Sequence, residues 1–195
     1  MMRATNWIFA GAIAAMLMIP RAAAGQEKAA GHGDAAAPAA SPSKPGVEQA
    51  ELAKMAGEYA RVIKFVGPQA EGIPHFAGTA KISVVLGGRF LLEESSDVVM
   101  GQKVDALRLY GYNNSTKQYE MARTYTMSTA ITMMTGTSSD GGTTIEFNGG
   151  IDGGKTPLHA HYVKVDEDHF TVTMSTAGAD GKDAPFQETD YARKK

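Results

Sequence analysis

The chain has no cysteine. An oxidising compartment therefore adds no disulfide, a thiol nucleophile and a lipidated N-terminal cysteine are both excluded, and any fold must be held by its own core. An excess of charge is missing too: 19 Lys and Arg stand against 21 Asp and Glu, for a formal net charge of −2. The basic residues are scattered among carboxylates, which argues against a nucleic-acid partner, because phosphate binding needs a concentrated basic face. Long apolar runs are scarce. The most apolar stretch, Trp7 to Ile19, is too short to cross a bilayer core of about 30 Å as a helix. No G-x-S-x-G elbow occurs, and the adjacent Glu93 and Glu94 point to opposite faces of a strand, so they cannot act as paired carboxylates.

Three regions follow from composition. Residues 1–24 carry Arg3, then the apolar run, Pro20, Arg21 and the small-residue sequence Ala22-Ala23-Ala24, the pattern of a secretory signal peptide with an A-x-A cleavage site. The expected location is periplasmic or secreted, with no membrane association after cleavage. Residues 25–46 are mostly Ala, Gly, Pro, Ser and Lys without a large apolar side chain; such a segment cannot bury enough surface to offset the entropy of ordering and is expected to be a disordered linker. Residues 47–195 have the length of one domain.

That domain reads as a short helix and then strand after strand. Val47, Ala50, Leu52 and Met55 among Glu and Lys predict an amphipathic helix ended by Gly57. Gly87-Gly88 lies between Ile82-Ser83-Val84-Val85 and Leu91-Leu92-Glu93-Glu94, a hairpin signal in which glycine supplies the positive φ of a tight turn. Further breaks at Gly101-Gln102, Asn113-Asn114-Ser115, Asp140-Gly141-Gly142, 149–155, 166–168 and 177–182 divide the chain into about ten strands. No helix intervenes to build a parallel sheet, and an open meander of this length would expose two edges. The predicted fold class is therefore all-β, a single antiparallel up-and-down β-barrel of about ten strands with a short N-terminal helix and an internal cavity; a two-sheet sandwich is the alternative. In a closed meander the first and last strands pair, which predicts the Arg193 guanidinium against the Tyr59 ring.

Leu52-Ala53-Lys54-Met55-Ala56-Gly57-Glu58-Tyr59, Leu86-Gly87-Gly88-Arg89-Phe90-Leu91, Gly111-Tyr112-Asn113, and Glu188 with Tyr191-Ala192-Arg193 resemble domain-of-unknown-function family 1579 over nearly all of the folded part. That family has no established activity, so the resemblance implies a fold more than a function. More distantly, Gly57-x-Tyr59 after a short helix is similar to the Gly-x-Trp opening of lipocalin-like barrels, which implies the calycin group. That group includes the haem-binding nitrobindins, but a lone histidine cannot specify a macrocycle site, so no cofactor is expected and haem is the alternative.

Several motifs carry little chemistry. Gly149 to Thr156 fits G-x-x-x-x-G-K-T, but Pro157 and a strand follow where a phosphate loop needs a helix, so a hairpin loop is expected. His159 and His161 share one strand face at usable metal-ligand spacing, yet two ligands are not a site. Met100, Met121, Met127, Met133, Met134 and Met174 read as gap-filling core residues before they read as a pocket.

Parity is more informative. On the strand from Gln118 to Met127, Tyr119, Met121, Arg123, Tyr125 and Met127 share one face; Arg108 and Tyr110 share a face on the preceding strand, and Arg89 leaves the hairpin. If these faces point inward, they give a cavity with apolar walls and buried guanidinium. The expected ligand-binding set is Arg89, Arg108, Tyr110, Met121, Arg123, Tyr125 and Met127, for a small amphipathic or anionic molecule. The alternatives are outer-face residues snorkelling over aliphatic neighbours, a haem-dependent or isomerase enzyme using the same cavity, and a filled barrel that docks a partner.

Overall fold

The computed structural model describes residues 44–178 and 181–195. The predicted signal peptide and residues 25–43 of the predicted linker lie outside the described residues. Helix α1 (Val47–Ala53) is followed by β1 (Gly57–Phe65), β2 (Phe76–Val85), β3 (Phe90–Val99), β4 (Gln102–Asn113) and β5 (Gln118–Tyr125). The second half is β6 (Thr132–Thr137), β7 (Thr144–Ile151), β8 (Thr156–Lys164), β9 (His169–Ala177) and β10 (Asp183–Arg193). Each strand pairs antiparallel with the next, and β1 pairs with β10 to close the barrel, as the succession of hairpin signals predicts.

The turns explain the meander. Leu86, Gly87 and Gly88 all adopt positive φ between the paired residues Val85 and Phe90, so the central hairpin draws on both of its glycines and forces Leu86 to follow. The phosphate-loop lookalike is the β7–β8 turn: Asp152, Gly153 and Gly154 have positive φ and strand β8 follows at once. At the β4–β5 turn the Asn113 side chain accepts the backbone N–H groups of Ser115 and Thr116, a local bond that favours a turn over continued strand.

The two barrel ends differ. Helix α1 lies at one of them, where the Gln49 amide donates to Tyr112 O (2.8 Å) and Leu52 and Met55 are buried. Beneath it a stack of rings fills the bore: Phe170 lies on Tyr191 with centroids 4.0 Å apart, and Tyr59 and Tyr162 contact Phe170 at 5.3 and 5.2 Å. Tyr59 is opposite Arg193 in register, and the Arg193 guanidinium sits 4.9 Å from the Tyr59 ring centre, as barrel closure predicts. A barrel of ten strands is wide enough for a cavity throughout, but these aromatic side chains are large enough to fill one half of it. Among the described residues, no helix is long and apolar enough to cross a membrane.

Candidate functional site

Inward residues of β3 run Leu91, Glu93, Ser95, Asp97 and Val99 from the helix end towards the open end. Glu93 has no exposed surface, a position that an isolated carboxylate cannot hold. Its partners come from three strands. Arg108 donates from Nη1 to Glu93 Oε1, Tyr191 donates to the same oxygen at 2.9 Å, and Tyr110 donates to Oε2 at 3.0 Å. Arg61, on β1, has Nη1 4.0 Å from Glu93 and 3.0 Å from Asp97 Oδ2, and its guanidinium lies 4.9 Å from the Tyr191 ring centre. Asp97 fits only because β2 has Gly78 opposite it: a Cβ there would stand 1.8 Å from Asp97 Oδ1.

Burial is the largest influence on Glu93, Asp97, Tyr110 and Tyr191. It pushes the Glu93 carboxyl upward, but Arg108, Arg61 and the two tyrosine hydroxyls together outweigh it and hold Glu93 below the ordinary glutamate range. Burial raises Tyr191 to about 12 and Tyr110 well above its usual value, so both are neutral donors. Asp97 ends above the ordinary aspartate range, because burial exceeds what Arg61 and Arg108 offset. Among the described residues, three buried side-chain polar atoms have no partner: Arg61 Nε, Ser95 Oγ and Asp97 Oδ1.

Above this network a cavity of about 300 Å3 opens at the end of the barrel away from α1. Ile63, Phe65, Val99, Leu158 and Phe186 give it apolar walls, while Arg61, Asp97, Arg108 and Arg123 supply its charge. Pro185 has no N–H for the ladder, and the β9–β10 register shifts between Pro185 and Gln187, next to Phe186 at the rim. Arg123 differs from the other two arginines. Its Nη1 is 3.8 Å from the Met174 sulfur and its guanidinium 5.5 Å from the Tyr125 ring centre, and among the described residues it has no carboxylate partner. Burial, then the positive charge of Arg108, depress its pKa below the usual guanidinium value.

The predicted set is thus brought together in part. Arg108, Arg123, Tyr125 and Met127 line the cavity, Met127 as an exposed rim residue. Tyr110 and Met121 face inward, as parity predicts, but lie deeper in the packed core. Arg89 is a correction. It is exposed at the β2–β3 turn, where Nη1 donates to Leu86 O (3.2 Å), and β3 must run its whole length from there to reach the open end. Eight residues of strand separate Arg89 from Asp97, roughly 26 Å at about 3.3 Å per residue. His159 and His161 do share a face, but it is the outer one: His159 contacts Asn148 (2.6 Å) and Asp183 (3.5 Å), and His161 contacts Glu146 (3.2 Å). No group of three or more metal-ligating side chains occurs among the described residues, and His75 and His169 are exposed, so no described imidazole reaches the cavity. Of the methionines read as gap fillers, Met121, Met134 and Met174 are buried, whereas Met100, Met127 and Met133 are exposed.

Glu93, Asp97, Arg61 and Tyr191 were not among the sequence candidates for the site. Parity could have found Arg61, since Tyr59, Arg61 and Ile63 alternate on one face. A wider, open groove of about 700 Å3 on the outside of β1 to β5 carries Lys81, Lys103, Glu94 and Asp105. There Lys103 pairs with Asp105 at 2.9 Å, both of them solvated, which is the ordinary state of a barrel's outer face.

The family model described as "Protein of unknown function (DUF1579)" matches residues 44–193. Among solved structures, Rv2717c from M. tuberculosis is 12% identical, with a TM-score of 0.57, over 76% of this chain and 98% of that one. The S-type phycobiliprotein lyase CPES from Guillardia theta is 11% identical, with a TM-score of 0.52, over 76% of this chain and 96% of that one. At such identities the likeness concerns the barrel alone. No curated protein matches the chain.

Proposed function

The chain belongs to the DUF1579 family, which assigns it a fold and no activity, and we propose from the barrel's own chemistry that it binds a small amphipathic anion in the cavity at its open end. One observation carries this reading. Arg123 turns a guanidinium into an apolar-walled space with no carboxylate among the described residues paired to it. A guanidinium held half-buried without a counter-charge is a cost to the empty protein. A ligand with an anionic head and an apolar tail would offset that cost, with the head on Arg123 and the tail against Ile63, Phe65, Val99 and Leu158. The volume, at the small end of the ~300–1,000 Å3 typical of ligand pockets, suits a tail of medium length.

Matched ten-carbon amphiphiles of different charge test it. Decanoate, decanol and decyltrimethylammonium are added to the protein and the melting temperature followed. Decanoate at a hundred times its dissociation constant should stabilise by about 2.7 kcal/mol, while the neutral and cationic analogues do little. Equal shifts from all three, or a shift from the cation alone, would remove Arg123 from the account. Native mass spectrometry of the protein as purified gives an independent view of any ligand it carries.

A further inference from the structure

The charges of the open half are unequal in number, and this bears on which anion fits. Resting on the binding role above, we propose that the cavity selects singly over doubly charged anions, and that Asp97 sets this preference.

Arg61, Arg108 and Arg123 face the described interior of this half, opposed by Glu93 and Asp97, which leaves a surplus of one positive charge. The carboxylates are not interchangeable. Glu93 is fully engaged with Arg108, Tyr110 and Tyr191 and lies below the cavity floor. Asp97 lines the cavity itself and holds Arg61 through Oδ2 alone, leaving Asp97 Oδ1 and Arg61 Nε buried without partners. A singly charged head on Arg123 brings the interior to neutrality. A doubly charged head needs a second cation, and the next candidates are already taken: Arg108 by Glu93, Arg61 by Asp97. The second negative charge would then lie in a poorly hydrated space beside two carboxylates, where repulsion is weakly screened. Removing the charge of Asp97 releases Arg61 and gives the cavity two unbalanced cations.

Groups that face Asp97 are few. Arg61 faces it from β1, Arg108 acts on it from β4, Glu93 shares its strand, and β2 presents only the bare Gly78. Asp97 pairs in register with Val104, so β4 places an apolar side chain directly opposite it. No other acid in the described interior can take over its role, and Asp97→Asn is a direct test. Asparagine keeps the volume and an oxygen for Arg61 while deleting the charge.

Octyl sulfate and octyl phosphate share a tail and a tetrahedral head, and at pH 8 they differ by one charge, since a phosphate monoester has its second pKa near ~6. Both are titrated below their micelle concentrations into the full chain and into Asp97→Asn by calorimetry. Wild type should bind the sulfate at least tenfold more tightly than the phosphate. In Asp97→Asn that ratio should fall to near one or invert, and Asp97→Glu, which retains the charge, should keep the wild-type ratio. A melt verifies folding, and if the asparagine variant is unfolded, Asp97→Ser deletes the same charge with a smaller side chain. Wild type binding the phosphate as tightly as the sulfate overturns the proposal, as does an unchanged ratio in the charge-deleted variant. If wild type binds neither compound, the binding role itself falls and this inference with it; if it binds both equally, only the inference falls.

Discussion

Arg193 and Arg123 each lie over a tyrosine ring, at 4.9 and 5.5 Å from the ring centres, at opposite ends of the same barrel. Around Arg193 all three guanidinium nitrogens have oxygen partners. Its Nε meets Asp168 at 3.2 Å, Nη1 donates to Ala56 O at 2.5 Å, and Nη2 donates to Lys54 O at 2.9 Å and Glu167 O at 3.3 Å. Around Arg123 there is a thioether and a ring face. A guanidinium ringed by carbonyls and a carboxylate is finished, and its work is to tie β10 to the turn before β1. One that lacks a counter-charge is a standing cost to the empty protein, and it makes sense where something else supplies the charge. The packed end and the open end thus use the same residue pair for different purposes, and the partners, not the stacking, tell them apart.

Moving an arginine from the first condition to the second is the harshest way to break this comparison. Glu93→Gln removes the carboxylate beneath Arg108 and Arg61 and leaves both cations short of charge. Denaturant unfolding should show a loss of about 3 to 5 kcal/mol, the usual result of breaking a buried pair from one side. For a domain of this size that is roughly 10 °C in melting temperature. The same variant changes the pH profile. Glu93 is held below its ordinary value of 4.5, so the stability it contributes is complete above pH 4.5 and is lost as pH falls through its folded-state value; Glu93→Gln should lack that part of the acid slope. Asp97 acts with opposite sign. Its value is raised, so its ionisation costs stability as pH rises from 3.8 through its folded-state value, and Asp97→Asn should flatten that part of the curve.

A milder perturbation concerns the packed end. Arg193→Ala deletes a cation over a ring, worth about 0.5 to 2 kcal/mol, together with bonds to carbonyls that water can partly replace. Stability should drop by that order, and decanoate affinity should be unchanged. Lost binding with unchanged stability would exchange the roles assigned to the two ends.

Much of the fold was legible because turns and alternation are local. Every connection but the one from β5 to β6 carries its own Gly, Asn or Asp, and closure follows from counting strands and refusing exposed edges. Half of the site was legible for the same reason: on β5 the two faces differ sharply, so Arg123 and Tyr125 could be placed together before any coordinates. Strand β3 hid the rest. Its sequence runs Leu91-Leu92, Glu93-Glu94, Ser95-Ser96, so both faces present nearly the same side chains and parity cannot say which glutamate is buried. Only the pairing of β3 with β2 and β4 decides it, putting Glu93 opposite Arg108 and Ile82, and Glu94 opposite Leu107 and Lys81. Arg89 misled by its nearness in sequence to β3, since a residue at the tip of a hairpin and a residue at the strand's far end belong to opposite ends of a barrel.

The most direct test of the unbalanced guanidinium is decanoate calorimetry on wild type and Arg123→Met, paired with melts of the empty proteins. Methionine keeps much of the stem and volume and removes the charge. Binding should weaken by roughly 2 to 5 kcal/mol, the loss that follows when one member of a buried charged pair goes. The empty variant should melt at the wild-type temperature or above it, because a desolvated charge has been removed. A variant that binds decanoate as tightly as wild type, or that melts well below it, would contradict the claim that Arg123 awaits an anion.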